Sequence, residues 1–539
     1  MFDFGFNKVL RVVKNAWQAV RLSTTSLQAP RRQQRMYAMA KASRLTVGWG
    51  TSVSSEDTEL SSSLRTARAR SRQLVRDAAY AKRAKVIVQN NVVGQGIGMQ
   101  AQVMNSRGEL NNRINDDIEA AWEKWCEKQS CHTGASLHFA DYERAVIGQV
   151  FEAGEVFTRK HFRKFGDSQI PLALELIEAE RIADDAKPGP ADANNGVRLG
   201  IEVNSFGAPI AYLIRTLHPG ELRLMPEQTD KIERIPADLI VHNRIIDRWP
   251  QTRGIPWMHA AARKLNDMDG LTEAEITAAR AAACYMGFIE SPEGESEFAT
   301  TQEDGSKQLE LEPAVVERLD PGEKFTYAAP NRPNSQLDPF MRMMLREVAA
   351  GTGSSYESLS RDYSQSNYSS SRLALIDDRD LWRTLQRWFI RDYRMPIHRQ
   401  WLQQAVLSGA IPSINIQEYG ANPSKFEAVR FKPRGWSWID PTKEVEAYKE
   451  AILAGFTTVG RVIDLTGDGS DLEDILKERK RELELMKDAG LVFSTDPSAV
   501  QLAPLPVAQT DPNAPADPLN DPTVNAAEKM LRIAGRNHA

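Results

Sequence analysis

Residues 257–286 read WMHAAARKLNDMDGLTEAEITAARAAACYM, thirty positions with nine alanines and no proline. Met258, Ala261, Leu265, Met268, Ile276, Ala279, Ala283 and Met286 recur near one face, which predicts a single helix of about 45 Å at 1.5 Å per residue. Alanine favours the helix, and its small side chain lets a neighbouring backbone come close, so tight packing against other helices is expected.

Working outward, residues 287–333 break the pattern. Val315-Val316 and Phe325-Thr326-Tyr327 flank the turn Asp320-Pro321-Gly322-Glu323, which predicts a compact insert containing β structure. A second helix follows over 334–353, with Asp338 as its cap and Pro339 in its first position. Its apolar stripe of Leu337, Phe340, Met341, Met344, Leu345 and Val348 stops at Gly351-Thr352-Gly353.

Residues 354–371 then hold nine serines with Tyr356, Tyr363 and Tyr368, and only Glu357, Arg361 and Asp362 are charged. That composition suits neither a core nor tight phosphate binding. The helix beyond it runs to Tyr393 and is predicted to bend or end at Pro396. Along it Arg379, Arg383, Arg387 and Arg391 repeat every four residues and form one ridge. The ridge could meet phosphate or another subunit; pairing with Asp378, Asp380 and Asp392 is the favoured reading. Trp382, Trp388 and Trp401 read as core.

Toward the N-terminus, 1–63 reads as an arm, basic at Arg31-Arg32-Gln33-Gln34-Arg35 and serine-rich from Thr51 to Ser63. A helix from Leu64 to about Ala84 carries Arg65, Arg68, Arg72 and Arg76 on one face, a stripe for which nucleic acid and an acidic neighbour are equally good partners. Val86 to Val103 reads as a strand broken by Gly94, Gly96 and Gly98. Helices are predicted at Ile114 to Glu127 and Phe139 to Ala153. The turn Glu152-Ala153-Gly154-Glu155 leads into a strand, and the turn Asn204 to Gly207 joins an antiparallel hairpin. At the other end, helices are predicted at Lys443 to Ala454 and Leu472 to Lys487. Past Leu491 the chain has seven prolines between Asp496 and Thr523 and few large apolar groups, so it is read as disordered.

The whole chain has 539 residues, too many for one ordinary core, and a formal net charge of -4 that leaves no global polycation. The apolar runs fall short of a membrane span, and Met1-Phe2-Asp3-Phe4 lacks the basic start of a secretory signal, so the chain is expected to stay in the cytoplasm that makes it. Cys126, Cys131 and Cys284 read as structural thiols rather than a disulfide framework. Cys126, Cys131, His132 and His138 could ligate zinc in kind, but the cysteines are spaced by five. Asp184-Asp185 and Asp377-Asp378 read as solvated surface. No phosphate-binding GxxxxGK[ST] loop, GxSxG elbow or HExxH helix is present, and Gly94-Gln95-Gly96-Ile97-Gly98 misses the dinucleotide spacing. Neither catalytic residue, metal nor cofactor is expected.

Several segments, in order, resemble the lambda-type portal proteins of tailed double-stranded DNA bacteriophages. They are Arg70 to Arg76, Asn91 to Ile97, Ala153-Gly154-Glu155, Leu174 to Ala179, Arg253-Gly254-Ile255-Pro256, Ser355 to Ser364, Asn367 to Arg372 and Asp440 to Glu444. The resemblance covers about residues 60–490. It implies an α+β portal-protein fold, assembled as a ring, most often a dodecamer, at one capsid vertex. On that plan 64–255 is the wing, 256–286 and 334–353 are stem helices, and 287–333 is a small β-containing clip. The tunnel loop is 354–371, a tunnel helix and return segment fill 372–439, the helical crown is 440–491, and 492–539 is a tail. Tyr363, Ser364, Ser366, Asn367, Tyr368 and Ser369 would face DNA sliding through without sequence specificity. Implied partners are the terminase large subunit, a head-completion adaptor, the major capsid protein and scaffold, in the host cytoplasm during assembly and in the virion afterwards. A head or tail-baseplate component without a channel is the alternative.

Overall fold

The computed structural model describes residues 44, 48–51, 53–186, 195–221, 230–284, 288–290, 300–301, 307–308, 324–326, 336–436, 441–466 and 472–491. The basic stretch at 31–35, the turn at 320–323 and the proline-rich tail lie outside them.

Helices α1 (Glu56–Asp77) and α2 (Ala79–Val92) open the described fold. After β1 (Gly98–Ala101) come α3 (Asn112–Trp125) and α4 (Phe139–Ala153). Two small sheets follow, one of β2 (Glu155–His161), β3 (Ala173–Ile177) and β8 (Ile240–Arg244), the other of β4 (Gly196–Arg198), β5 (Ile201–Val203), β6 (Pro209–Arg215) and β7 (Ile232–Pro236). Strand order is β3-β2-β8 in the first and β4-β5-β6-β7 in the second, all antiparallel.

The long helix α5 (Ala262–Cys284) leaves this body after a 3-10 turn at Trp257–Ala260. Four strand fragments are described beyond it: β9 (Phe288–Glu290) pairs with β12 (Lys324–Thr326), and β10 (Thr300–Thr301) with β11 (Lys307–Gln308). Helix α6 (Leu337–Thr352) returns to the body. A short α7 (Tyr356–Ser360) precedes α8 (Tyr368–Phe389) and α9 (Met395–Leu407), after which β13 (Val429–Lys432) pairs with β1. Helices α10 (Pro441–Leu453), α11 (Val459–Thr466) and α12 (Leu472–Asp488) complete the described chain. Among the described residues no helix is long and apolar enough to cross a membrane.

The largest core joins α1 to α4 with α6, α8 and α9. Trp122, Trp125 and Trp401 meet at its centre, the Trp122 and Trp401 rings edge to face at 4.9 Å. A large buried side chain of this kind contributes about 1.5–3 kcal/mol or more through burial alone. Trp382 is also buried, while Trp388 packs half-buried against the same core. A second cluster, with Phe157, Ile201, Tyr212 and Ile235, joins the two sheets.

Several sequence expectations are corrected. Val86 to Val92 is helix, and only Gly98–Ala101 of that run is strand. Ala81, Ala84, Ile87, Val88 and Val92 lie buried at helical spacing, so burial outweighs the β preference of the branched residues. The serine-rich stretch starts a helix rather than ending an arm: Ser55 caps α1, and Glu56, Asp57 and Glu59 complement its first turn. Asp338 is not the cap of α6; it pairs with Arg342 one turn later at 3.1 Å. Pro396 does not end the helix. A π-helical turn at Ile390–Arg394 absorbs its missing N–H, and the chain runs on into α9. Helix α11 was not anticipated.

Packing divides α5. Met258, Ala261, Leu265 and Met268 are buried against α1 and α6, yet Ile276 is 46 % exposed. Beyond Met268 the cover thins: Leu271 and Ala278 are half-buried, and Ile276 and Ala279 are exposed.

Candidate functional site

The segment 354–371 is a loop clamped at its root. Helix α6 ends at left-handed Gly353, and the buried Asp378 carboxylate of α8 then accepts from the Ser355 N–H (2.8 Å), the Ser355 hydroxyl (2.7 Å) and the Ser358 hydroxyl (2.8 Å). Asp378 is thus neither solvated surface nor a partner of the arginine ridge. Within the loop, Tyr356 donates to Asp362 at 2.8 Å and stacks under Arg346. Hydrogen bonds from Ser364 and Tyr356 hold the Asp362 carboxyl down to about 2. The N-terminus of α8 is closed by a reciprocal pair, Asn367 and Ser370 each accepting from the other's backbone.

From this braced root a polar, aromatic tip projects. Tyr363 is 61 % exposed and Tyr368 56 %, and Ser364, Asn367 and Ser369 are exposed, with Ser366 half-buried. The last part of the segment, from Tyr368, is the first turn of α8 rather than loop.

The four arginines of the ridge have different surroundings. Arg379 and Arg383 reach back to Trp436, their guanidiniums 5.9 and 5.5 Å from its ring centroid, and Arg383 also pairs with Asp380 at 2.9 Å. Trp436 is itself held by Asn91, which accepts its indole N–H at 3.0 Å. Arg391, inside the π turn, pairs with Asp392 at 2.6 Å. Arg387 is exposed and has no ion-pair partner among the described residues. The earlier stripe is likewise occupied: Arg65 meets Asp184, Arg72 meets Glu178 and Glu180, and Arg76 meets Asp77.

The remaining member, Arg68, enters a buried hub with Glu155, Arg253 and Gly254, residues that the sequence shows only as parts of segments resembling the family, with no role assigned. Glu155, fully buried at the start of β2, accepts from Arg68, from Arg253 Nε (2.6 Å), from the Gly254 N–H (2.8 Å) and from His242 Nε2 (2.8 Å). His242 Nδ1 accepts from Arg244, and burial lowers its pKa to about 3, so the ring is a neutral donor. Burial is the largest influence on Glu155 and pushes its carboxyl up, but Arg253, Arg68 and His242 together hold it well below the ordinary range. Arg253 also donates to the Leu199 and Ala179 carbonyls, tying both sheets to α1 and to the approach of α5.

Other metal-ligand types are committed elsewhere. Arg72 donates to both Glu178 and Glu180, the acidic members of a cluster with His218. Burial raises the Cys126 and Cys131 thiols, which disfavours the thiolate zinc requires, and His138 caps α4 by accepting from the Ala140 N–H.

The sequence model of the family described as "Phage portal protein, lambda family" matches residues 42–386, a span that holds the buried hub, both long helices and the exposed loop. The chain belongs to that family. Its function is that of a phage portal protein, a structural component of the virion. A probable portal protein of Halomonas phage phiHAP-1 is 26 % identical over 498 residues, which cover 90 % of this chain and 93 % of the relative. Portal protein B of Escherichia phage lambda is 23 % identical over 476 residues, covering 82 % and 88 %. Among solved structures, the neck of a native gene transfer agent particle computed with C12 symmetry aligns at TM-score 0.39 and 15 % identity, over 74 % of this chain and 93 % of that one.

Proposed function

We propose that the chain is one subunit of a closed, dodecameric ring at one capsid vertex, through which DNA is packaged and later ejected. The region between α5 and α6 is the docking site for the terminase large subunit and then for the head-completion adaptor. Capsid protein and scaffold meet the outer body during assembly in the host cytoplasm. Ring formation is supported by the thinly covered outer part of α5 and by Phe340 and Met343 of α6, 44 % and 55 % exposed. Adjoining copies would cover these side chains. Mass photometry of the purified chain is expected to find a species many times the mass of one subunit. A strict monomer across salt and protein concentration contradicts the ring.

The observation that carries the channel reading is the exposed tip of 354–371 on its Asp378 clamp. A channel must let a polyanion slide, and strong phosphate contacts would brake it. Hydroxyls and tyrosine rings make short-lived contacts instead, while on α8 Arg372 approaches Glu444 and Arg379 and Arg383 are turned to Trp436. Changing Ser364, Ser366 and Asn367 together to lysine should leave rings intact and slow packaging, most at low salt. Packaging at the unmodified rate at every salt concentration would show that the loop does not face DNA.

A further inference from the structure

Beside the second sheet lies a groove of about 250 Å³ between the β5–β6 hairpin and the bend at 249–252. Phe206 at the hairpin tip is 92 % exposed and Trp249 on the bend 79 %, and both stand on rigid supports. Asn204 Oδ1 accepts from the Phe206 and Ala208 N–H groups at 3.0 and 2.9 Å. Gln251 Oε1 accepts from the Asp247 N–H at 2.9 Å and pins the bend. Tyr212 lines the floor, and two arginines supply charge. Arg244 donates to His242 Nδ1 and to the Gln251 carbonyl, its buried Nε having no hydrogen-bond partner, and among the described residues Arg198 has a 4.0 Å approach to Asp57.

We propose that this groove binds the chain's own acidic, proline-rich tail, residues 496–523. Grooves walled by fixed aromatic rings take proline-spaced extended peptides, because such peptides lose little entropy on binding. The tail has seven prolines, Asp496, Asp511, Asp517 and Asp521, and no lysine or arginine, so its charge complements Arg198 and Arg244. The opposite end of the chain is excluded by charge: residues 1–43 carry Arg31, Arg32 and Arg35 and a single acidic residue, Asp3. Extended, the stretch from Leu491 to Thr523 spans about 100 Å at ~3.1 Å per residue.

The test uses the full chain with a photoreactive benzoyl-phenylalanine at position 206, irradiated and mapped by mass spectrometry. Cross-links to peptides within 496–523 are expected; mixing isotope-labelled and unlabelled chains then shows whether the tail comes from the same or an adjoining copy, either of which supports the proposal. Arg198→Glu should lower the yield about threefold, the scale of one partly exposed charge pair, as should changing Asp511, Asp517 and Asp521 together to asparagine. Cross-links confined to other segments, no cross-link, or yields indifferent to both charge changes would overturn it.

Discussion

Replacing Glu155 by alanine is expected to destabilise the fold by about 3–5 kcal/mol, the scale of breaking a buried ion pair from one side. The change strips the Arg68 and Arg253 guanidiniums, 3 % and 1 % exposed, of the carboxylate that pairs with both, and removes the acceptor of His242 and of the Gly254 N–H. Since domains are stable by only about 5–15 kcal/mol, most of the soluble protein should be lost. Glu155→Gln keeps the shape and is expected to cost less. It also allows a pH test. The folded carboxyl lies well below its ordinary value, so its stabilisation is present above the unfolded value near 4.5 and is lost as pH falls toward the folded value. The gap in melting temperature between wild type and Glu155→Gln should therefore be steady at neutral pH and narrow below about pH 4. A gap that widens in acid would show that Glu155 is protonated in the folded protein.

Gly154→Ala is expected to be as severe, for a steric reason. Gly154 is left-handed at φ +88° where α4 turns into β2, and a Cβ there would stand 2.3 Å from the Ile255 carbonyl carbon. Gly254 faces it: a Cβ on that residue would meet the Gly154 carbonyl oxygen at 2.2 Å. Both neighbours are backbone, so no side chain can swing aside. Gly108 separates the two costs, because it has φ +78° but open space around it. Gly108→Ala should lose only the left-handed penalty, about 1–2 kcal/mol, whereas Gly154→Ala and Gly254→Ala should fail to give soluble protein. Equal melting temperatures for Gly108→Ala and Gly154→Ala would refute close approach as the reason for the glycine.

The sequence alone located the helices whose stripes are long and continuous, read at 114–127, 139–153, 257–286 and 334–353 and observed at 112–125, 139–153, 262–284 and 337–352, the third shortened by the 3-10 turn at Trp257–Ala260, and the hairpin around Asn204 to Gly207, because those patterns and turn residues are local. It also carried the family, through segments whose order is specific even where each alone is weak. Val86 to Val92 was misread because burial on a helix face, not local preference, decides a short run of branched residues. The π turn before Pro396 left no pattern to read. Above all, Ala153-Gly154-Glu155 and Arg253-Gly254-Ile255-Pro256 are a hundred residues apart in the chain, and only the tertiary structure brings their glycines face to face and seats Glu155 between Arg68 and Arg253. Periodicity reports which face of an element is buried; which distant charge that face meets depends on chain crossings that no local pattern encodes.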